Sequence, residues 1–244
     1  MALQYFLAGF KLIAAPGIRI WVIIPLLINL VLFVMLTLFA LEEFKTLMAW
    51  LINFLPDWLS FITWLARIVF TALLAVCYVF TFTLVGHIVA SPFYGLLSNA
   101  VYEKLCSKAN EPPLSFRSAG TIALQSFKRE LQKLVYFIPR IIGVLLLCVI
   151  LSFIPVVNLL APALAFLWGA WSLALQNLDY PADINTVDFA NVRKRCAEKK
   201  GLSLSFGALV LLGSSVPLLN LLVMPAAVAG ATSLWIARFR EGDI

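Results

Sequence analysis

Charge is what this chain lacks most. Only 12% of its 244 residues are Asp, Glu, Lys or Arg, about half the share found in an ordinary soluble domain. A water-soluble globule of this length needs more polar surface than that to cover its core, so the soluble classes are excluded. Histidine is almost missing, with His87 standing alone. The four cysteines do not compensate: Cys77 and Cys148 sit in uncharged runs, Cys106 and Cys196 in polar segments, and no two share a CxxC spacing. Neither a metal centre nor a disulfide framework is expected. GxSxG, HExxH, the P-loop and GxGxxG are also absent, so nothing announces a nucleophile elbow, a zinc hydrolase, an ATP site or a dinucleotide fold. An enzyme is not expected, nor a cofactor. The first residues lack the basic start and small-residue cleavage pattern of a secretory signal, and the first long apolar helix is expected to act as its own insertion signal.

What the chain has instead is apolar surface: 63% of residues are hydrophobic and the mean hydropathy is +1.00. That composition belongs to a single membrane domain covering 1–244, with lipid as its solvent. The net charge of +6 does not indicate nucleic acid, because the basic residues interrupt apolar runs rather than cluster on a polar domain. They mark topology and contact with membrane lipids.

The uncharged runs set an all-α plan of two long transmembrane helices and two broken hairpins. Residues 20–41 carry no charge and, as helix, extend about 33 Å, enough to cross a hydrocarbon core of about 30 Å. A second span is expected at 68–90, with Ser91-Pro92 and then Gly95 the natural place for the helix to bend or stop. The run 141–178 is interrupted by Pro155, Asn158 and Pro162, and the run 201–237 by Pro217, Asn220 and Pro225. Each leaves arms short for a full crossing, which favours hairpins that enter the membrane part-way and return. The hairpins resemble each other: Pro155-Val156-Val157-Asn158-Leu159-Leu160 returns as Pro217-Leu218-Leu219-Asn220-Leu221-Leu222, and Gly169-Ala170-Trp171-Ser172-Leu173 as Gly230-Ala231-Thr232-Ser233-Leu234. Either this is a repeat, or apolar hairpins simply need the same turn residues, Pro to stop the helix and Asn to satisfy freed backbone groups.

Between the runs lie polar segments. An N-terminal amphipathic segment covers 1–19. Glu42 to Arg67 mixes charges with Trp50, Trp58 and Trp64, as an interfacial stretch does. Residues 103–140 form polar helices, split at Pro112-Pro113, the second around Thr121 to Tyr136 with Lys128, Arg129 and Lys133. A turn is expected at Asp179-Tyr180-Pro181. Arg193-Lys194-Arg195 with Lys199-Lys200 reads first as a helix on anionic headgroups and second as an attractor of anions. With two spans and two returning hairpins, 16 Lys and Arg fall on one side and 2 on the other. Both termini are therefore expected to be cytoplasmic.

One short segment has anion-binding chemistry. Gly17-Ile18-Arg19 immediately precedes the first span, where the free N-H groups of a helix start, a flexible glycine and a guanidinium converge. The plainer reading is that Gly17 ends a short helix over Gln4 to Ala14 and Arg19 anchors the span at the surface. His87, Glu103, Asn158 and Asn220 are the further candidates for lining or gating a pathway. For His87 an intramembrane proton-sensitive role stands beside that of a hydrogen-bonded core residue. Glu103 either lines a path or marks the membrane boundary.

Five stretches, Pro16-Gly17-Ile18-Arg19 before Pro25-Leu26-Leu27-Ile28-Asn29, Ala90-Ser91-Pro92-Phe93-Tyr94-Gly95-Leu96-Leu97, Glu130-Leu131-Gln132-Lys133-Leu134, Asp179-Tyr180-Pro181-Ala182-Asp183, and Pro217 to Pro225 with Gly230-Ala231-Thr232, carry a likeness to a known family. By these motifs the chain resembles the CysZ family of bacterial inner-membrane sulfate permeases. The resemblance implies sulfate uptake into the cytoplasm for cysteine synthesis, hemi-penetrating hairpins and a homo-oligomer. The family's sulfate site is a Gly-Leu-Arg motif, often with a second Arg. It corresponds here to Gly17-Ile18-Arg19 followed by Ile20, so one guanidinium is missing. The rival class is a membrane-structuring or assembly protein whose half-inserted hairpins organise lipid. A lipid-modifying enzyme lacks any recognisable nucleophile and base.

Overall fold

The computed structural model describes residues 1–54, 63–106 and 116–240. Among them every regular element is helical: α1 (Ala2–Ile13), α2 (Ile20–Phe54), α3 (Thr63–Leu105), α4 (Phe116–Ser152), α5 (Leu160–Ile184), α6 (Phe189–Glu198), α7 (Lys200–Ser214) and α8 (Pro217–Arg238), with a 3-10 turn at Val157–Leu159. By length and composition Ile20–Trp50, Leu131–Ser152, Val157–Ile184 and Leu219–Arg238 are able to cross a membrane. The chain is an all-α membrane protein.

Several boundaries differ from the sequence reading, and most of the differences are prolines. Pro25, Pro92, Pro139, Pro181 and Pro225 all lie inside helices. α3 does not stop at Ser91-Pro92, and the expected turn at Asp179-Tyr180-Pro181 is helix. A proline costs its helix one hydrogen bond, yet in a membrane protein the freed carbonyl finds another donor or the helix bends. In α5 the Pro181 carbonyl accepts from Asn185 Nδ2 at 2.7 Å. The interfacial stretch from Glu42 is likewise a continuation of α2 as far as Phe54, and the helix expected around Thr121 to Tyr136 joins the first arm of the first hairpin without a break at Arg140. The Pro112-Pro113 pair and Trp58 lie outside the described residues.

The hairpins exist, with tips narrower than expected. The first breaks between Ser152 and the 3-10 turn, where Val156 has φ 70. Pro162 falls in the first turn of α5, where no partner for its nitrogen is needed. The second breaks at Ser215–Val216, ahead of Asn220, with Pro217 at the first position of α8. Neither Asn220 nor Pro225 interrupts the helix. α4, α5 and α8 are consequently longer than the uncharged runs suggested, and α7, with 15 residues, is the short arm.

The chain forms two compact units. One comprises residues 1–23 and 91–244, the other 24–90. In the first, α1 buries Ala2, Phe6, Gly9 and Ile13, the three-to-four spacing that puts one face on a neighbour. That neighbour is α8. A methyl on Gly9 lands 2.0 Å from the Ala226 carbonyl oxygen, and one on Gly230 lands 2.6 Å from that of Tyr5. α7 crosses α5 in the same manner, with a methyl on Gly207 only 1.8 Å from the Ala170 carbonyl oxygen. Small residues let backbones touch, which is how helices associate where lipid removes the hydrophobic drive. The Gly-Ala stretch shared by the hairpins thus lies at a backbone crossing in both: Ala170 under α7, Gly230 under α1. Around these crossings Phe6, Leu178, Cys196, Phe206, Val210, Leu234 and Trp235 make the core.

In the second unit α2 and α3 run antiparallel. Phe33 stands edge-on to Phe82 at 5.3 Å, and Thr37 shares a 2.6 Å hydrogen bond with the Tyr78 hydroxyl.

Candidate functional site

The corner between α1 and α2 holds the segment singled out by sequence. Gly17 adopts φ +84, the left-handed region that glycine enters without penalty. The turn wraps one carbonyl: Ala15 O accepts from Ile18 N at 3.1 Å and from Arg19 N at 3.2 Å. The Ile18 amide is therefore engaged, whereas among the described residues the Gly17 amide has no backbone partner. Ile18 is 2% exposed and pins the corner to the core. Arg19 is exposed and forms no ion pair among the described residues. A left-handed glycine, an open amide and a solvated guanidinium at the positive end of α2 make a surface that can receive an oxyanion.

A second polar assembly lies where α4 meets α5, and no local pattern of residues announces it. Arg129 places Nη2 2.7 Å from Asp179 Oδ1 and Nε 3.0 Å from Oδ2, while Nη1 reaches Asp183 Oδ1 at 2.8 Å. Its Nη2 also donates to the Val187 carbonyl at 2.6 Å. Lys133 Nζ stands 3.4 Å from Asp179 Oδ2 and 4.6 Å from the Tyr180 ring centroid. Asp179 and Lys133 are nearly sealed from solvent. Burial works against the Arg129 charge, but the hydrogen bonds and attraction of Asp179 and Asp183 outweigh it and hold its pKa above the usual guanidine value. Two cations face two carboxylates, so the group is neutral and its guanidinium fork is filled. This is a clamp between helices.

The other candidates are dispersed. Glu103 accepts from Asn99 Nδ2 at 2.7 Å one helical turn away, and next to it Tyr102 donates to Asn185 Oδ1 at 2.9 Å. Asn158 and Asn220 are exposed at the hairpin tips, where their own amides bond Ile154 O and Val216 O. His87 is helical, but its side chain lies outside the described ones. The basic segment turns partly inward. Arg195 donates to the Phe239 carbonyl at 2.8 Å and Lys199 to that of Arg238, capping the end of α8 where cations complement unpaired carbonyls. Lys194 and Lys200 remain exposed.

α6 also carries Cys196 into the core at 0% exposure, and burial pushes its thiol up to about 12. It is expected to escape maleimide near neutral pH until the protein is unfolded, as peptide mass spectrometry would read.

The chain matches the family described as "Sulfate transporter CysZ/Etoposide-induced protein 2.4" over residues 5–225. A Pseudomonas fluorescens protein named sulfate transporter CysZ is 40% identical over 233 residues, covering 96% of this chain and 92% of that one. A Pseudomonas aeruginosa protein of the same name is 40% identical over 98% of this chain and 95% of its own length. One from Pectobacterium atrosepticum is 39% identical over 98% of this chain and 85% of its own. Likeness of that extent, running nearly end to end, places the chain in the sulfate transporter CysZ/etoposide-induced protein 2.4 family.

Proposed function

We propose that the chain carries sulfate across the bacterial inner membrane into the cytoplasm, supplying sulfate assimilation and cysteine synthesis. It does so as a homo-oligomer with both termini cytoplasmic and without hydrolysing ATP. The observation that carries this reading is the near full-length similarity to proteins named sulfate transporters, joined to the open corner at residues 17–19. The dianion is received by the Arg19 guanidinium and the Gly17 amide, and Ile18 contributes by anchoring the corner through its buried side chain. Ile20 leaves Arg19 without a second guanidinium, so the site rests on one charged residue. The hairpins enter the membrane from the cytoplasmic side, and subunits together enclose the path, with His87, Glu103, Asn158 and Asn220 the residues to test along it.

Labelled-sulfate flux into proteoliposomes decides the matter. The native chain is expected to transport sulfate, and Arg19→Ala to reduce uptake about tenfold, the equivalent of one charge-assisted hydrogen bond. Unchanged uptake in Arg19→Ala removes that residue from the mechanism. A native protein that reshapes vesicles yet passes no sulfate overturns the reading in favour of a membrane-structuring role.

A further inference from the structure

Within the unit 24–90, α2 and α3 meet through side-chain tips, and between them runs an apolar groove of about 530 Å³. Its walls are drawn from Leu36 to Leu47 on α2 and Thr71 to Thr81 on α3. It therefore starts in the uncharged span and ends at the first charges beyond it, crossing from hydrocarbon to interface as a lipid chain and its glycerol do. The pairs Phe33–Phe82 and Thr37–Tyr78 fix the antiparallel register. By that register Glu43 and Thr71, both lining the groove, lie level with each other, and Arg67 lies about one turn farther toward the same end. Glu43 and Arg67 are both exposed.

We propose that this groove is a binding site for a zwitterionic amine phospholipid of the phosphatidylethanolamine class. One acyl chain fills the apolar trough, the ammonium pairs with Glu43, and the phosphate pairs with Arg67. The charge pattern selects the headgroup. Phosphatidylglycerol answers Arg67 but brings no cation to Glu43, whose carboxylate repels it.

Native mass spectrometry of the detergent-purified protein, offered equal amounts of the two lipids, tests the assignment. Phosphatidylethanolamine is expected to be retained about fivefold over phosphatidylglycerol, the scale of one exposed ion pair. Glu43→Gln should bring the ratio near one. Ala75→Phe, which fills the trough, should remove the bound lipid while the unfolding temperature stays at the native value. Equal retention of both lipids, or a preference that survives Glu43→Gln and Ala75→Phe, overturns the proposal. Cys77 also lines the groove, so ready Cys77–Cys77 cross-linking between copies in membranes shows a second chain there and overturns it as well.

Discussion

Arg129→Leu is expected to destabilise the fold by about 3–5 kcal/mol, the cost of leaving a buried carboxylate without its partner. Asp179 is 1% exposed and receives the guanidinium fork from a residue 50 positions away. With Arg129 removed, Lys133 stays 3.4 Å from the carboxylate, and it cannot reproduce a bidentate fork. Thermal unfolding in detergent should show the loss, and Arg129→Lys should recover only a small part of it. Arg129→Leu with Asp179→Leu should recover part of it, since the most deeply buried carboxylate goes with its partner and Lys133 and Asp183 remain as one cation and one anion. A double variant as unstable as the single one would mean that the residues do not act as a pair. Sulfate uptake is expected to follow the stability of these variants.

Substituting the glycines at the helix crossings is the other large effect. Gly207→Leu and Gly9→Leu each drive a side chain into a carbonyl that already lies 1.8 or 2.0 Å from the position of a bare methyl. Since the obstacle is backbone, no side chain can turn aside to make room, and a cost of about 3 kcal/mol or more is expected. Gly143 is the control, because a methyl there meets nothing within 4 Å. Gly143→Ala is expected to be neutral or to stabilise by up to about 1 kcal/mol through helix propensity. The ratio of folded to aggregated protein on size-exclusion chromatography separates these outcomes. If Gly9→Leu elutes as native protein, α1 does not pack on α8 as described.

Uncharged runs were enough to read the class of fold, because in lipid the length of an apolar segment is itself the structural signal. α2 could be located from residues 20–41, and the hairpins from Pro155 and Pro217. What could not be read was where helices continue. Pro92, Pro181 and Pro225 carry the same local signature as Pro217, and only the tertiary setting distinguishes a proline that starts a helix from one inside it. The Gly17-Ile18-Arg19 corner was legible because its chemistry is contiguous in sequence. The Arg129, Lys133, Asp179 and Asp183 clamp was not, since each half taken alone looks like a solvated helix face. Arg195 and Lys199 misled in a similar way: a basic run suggested headgroups, while the end of α8 uses two of its side chains.

The crossing of α1 on α8 ties together two helices made far apart in time. During synthesis the corner at Gly17 leaves the ribosome early, but the helix that its neighbour α1 grips emerges only after Pro217. Until then Gly9 has no Ala226 to lie against, and the buried face of Phe6 and Ile13 lacks its largest partner. Closure of the outer fold is therefore a late event with long sequence separation, the slow kind of contact. A chain ending before α8 would possess every residue of the Gly17-Ile18-Arg19 corner and lack the surface that holds it in place.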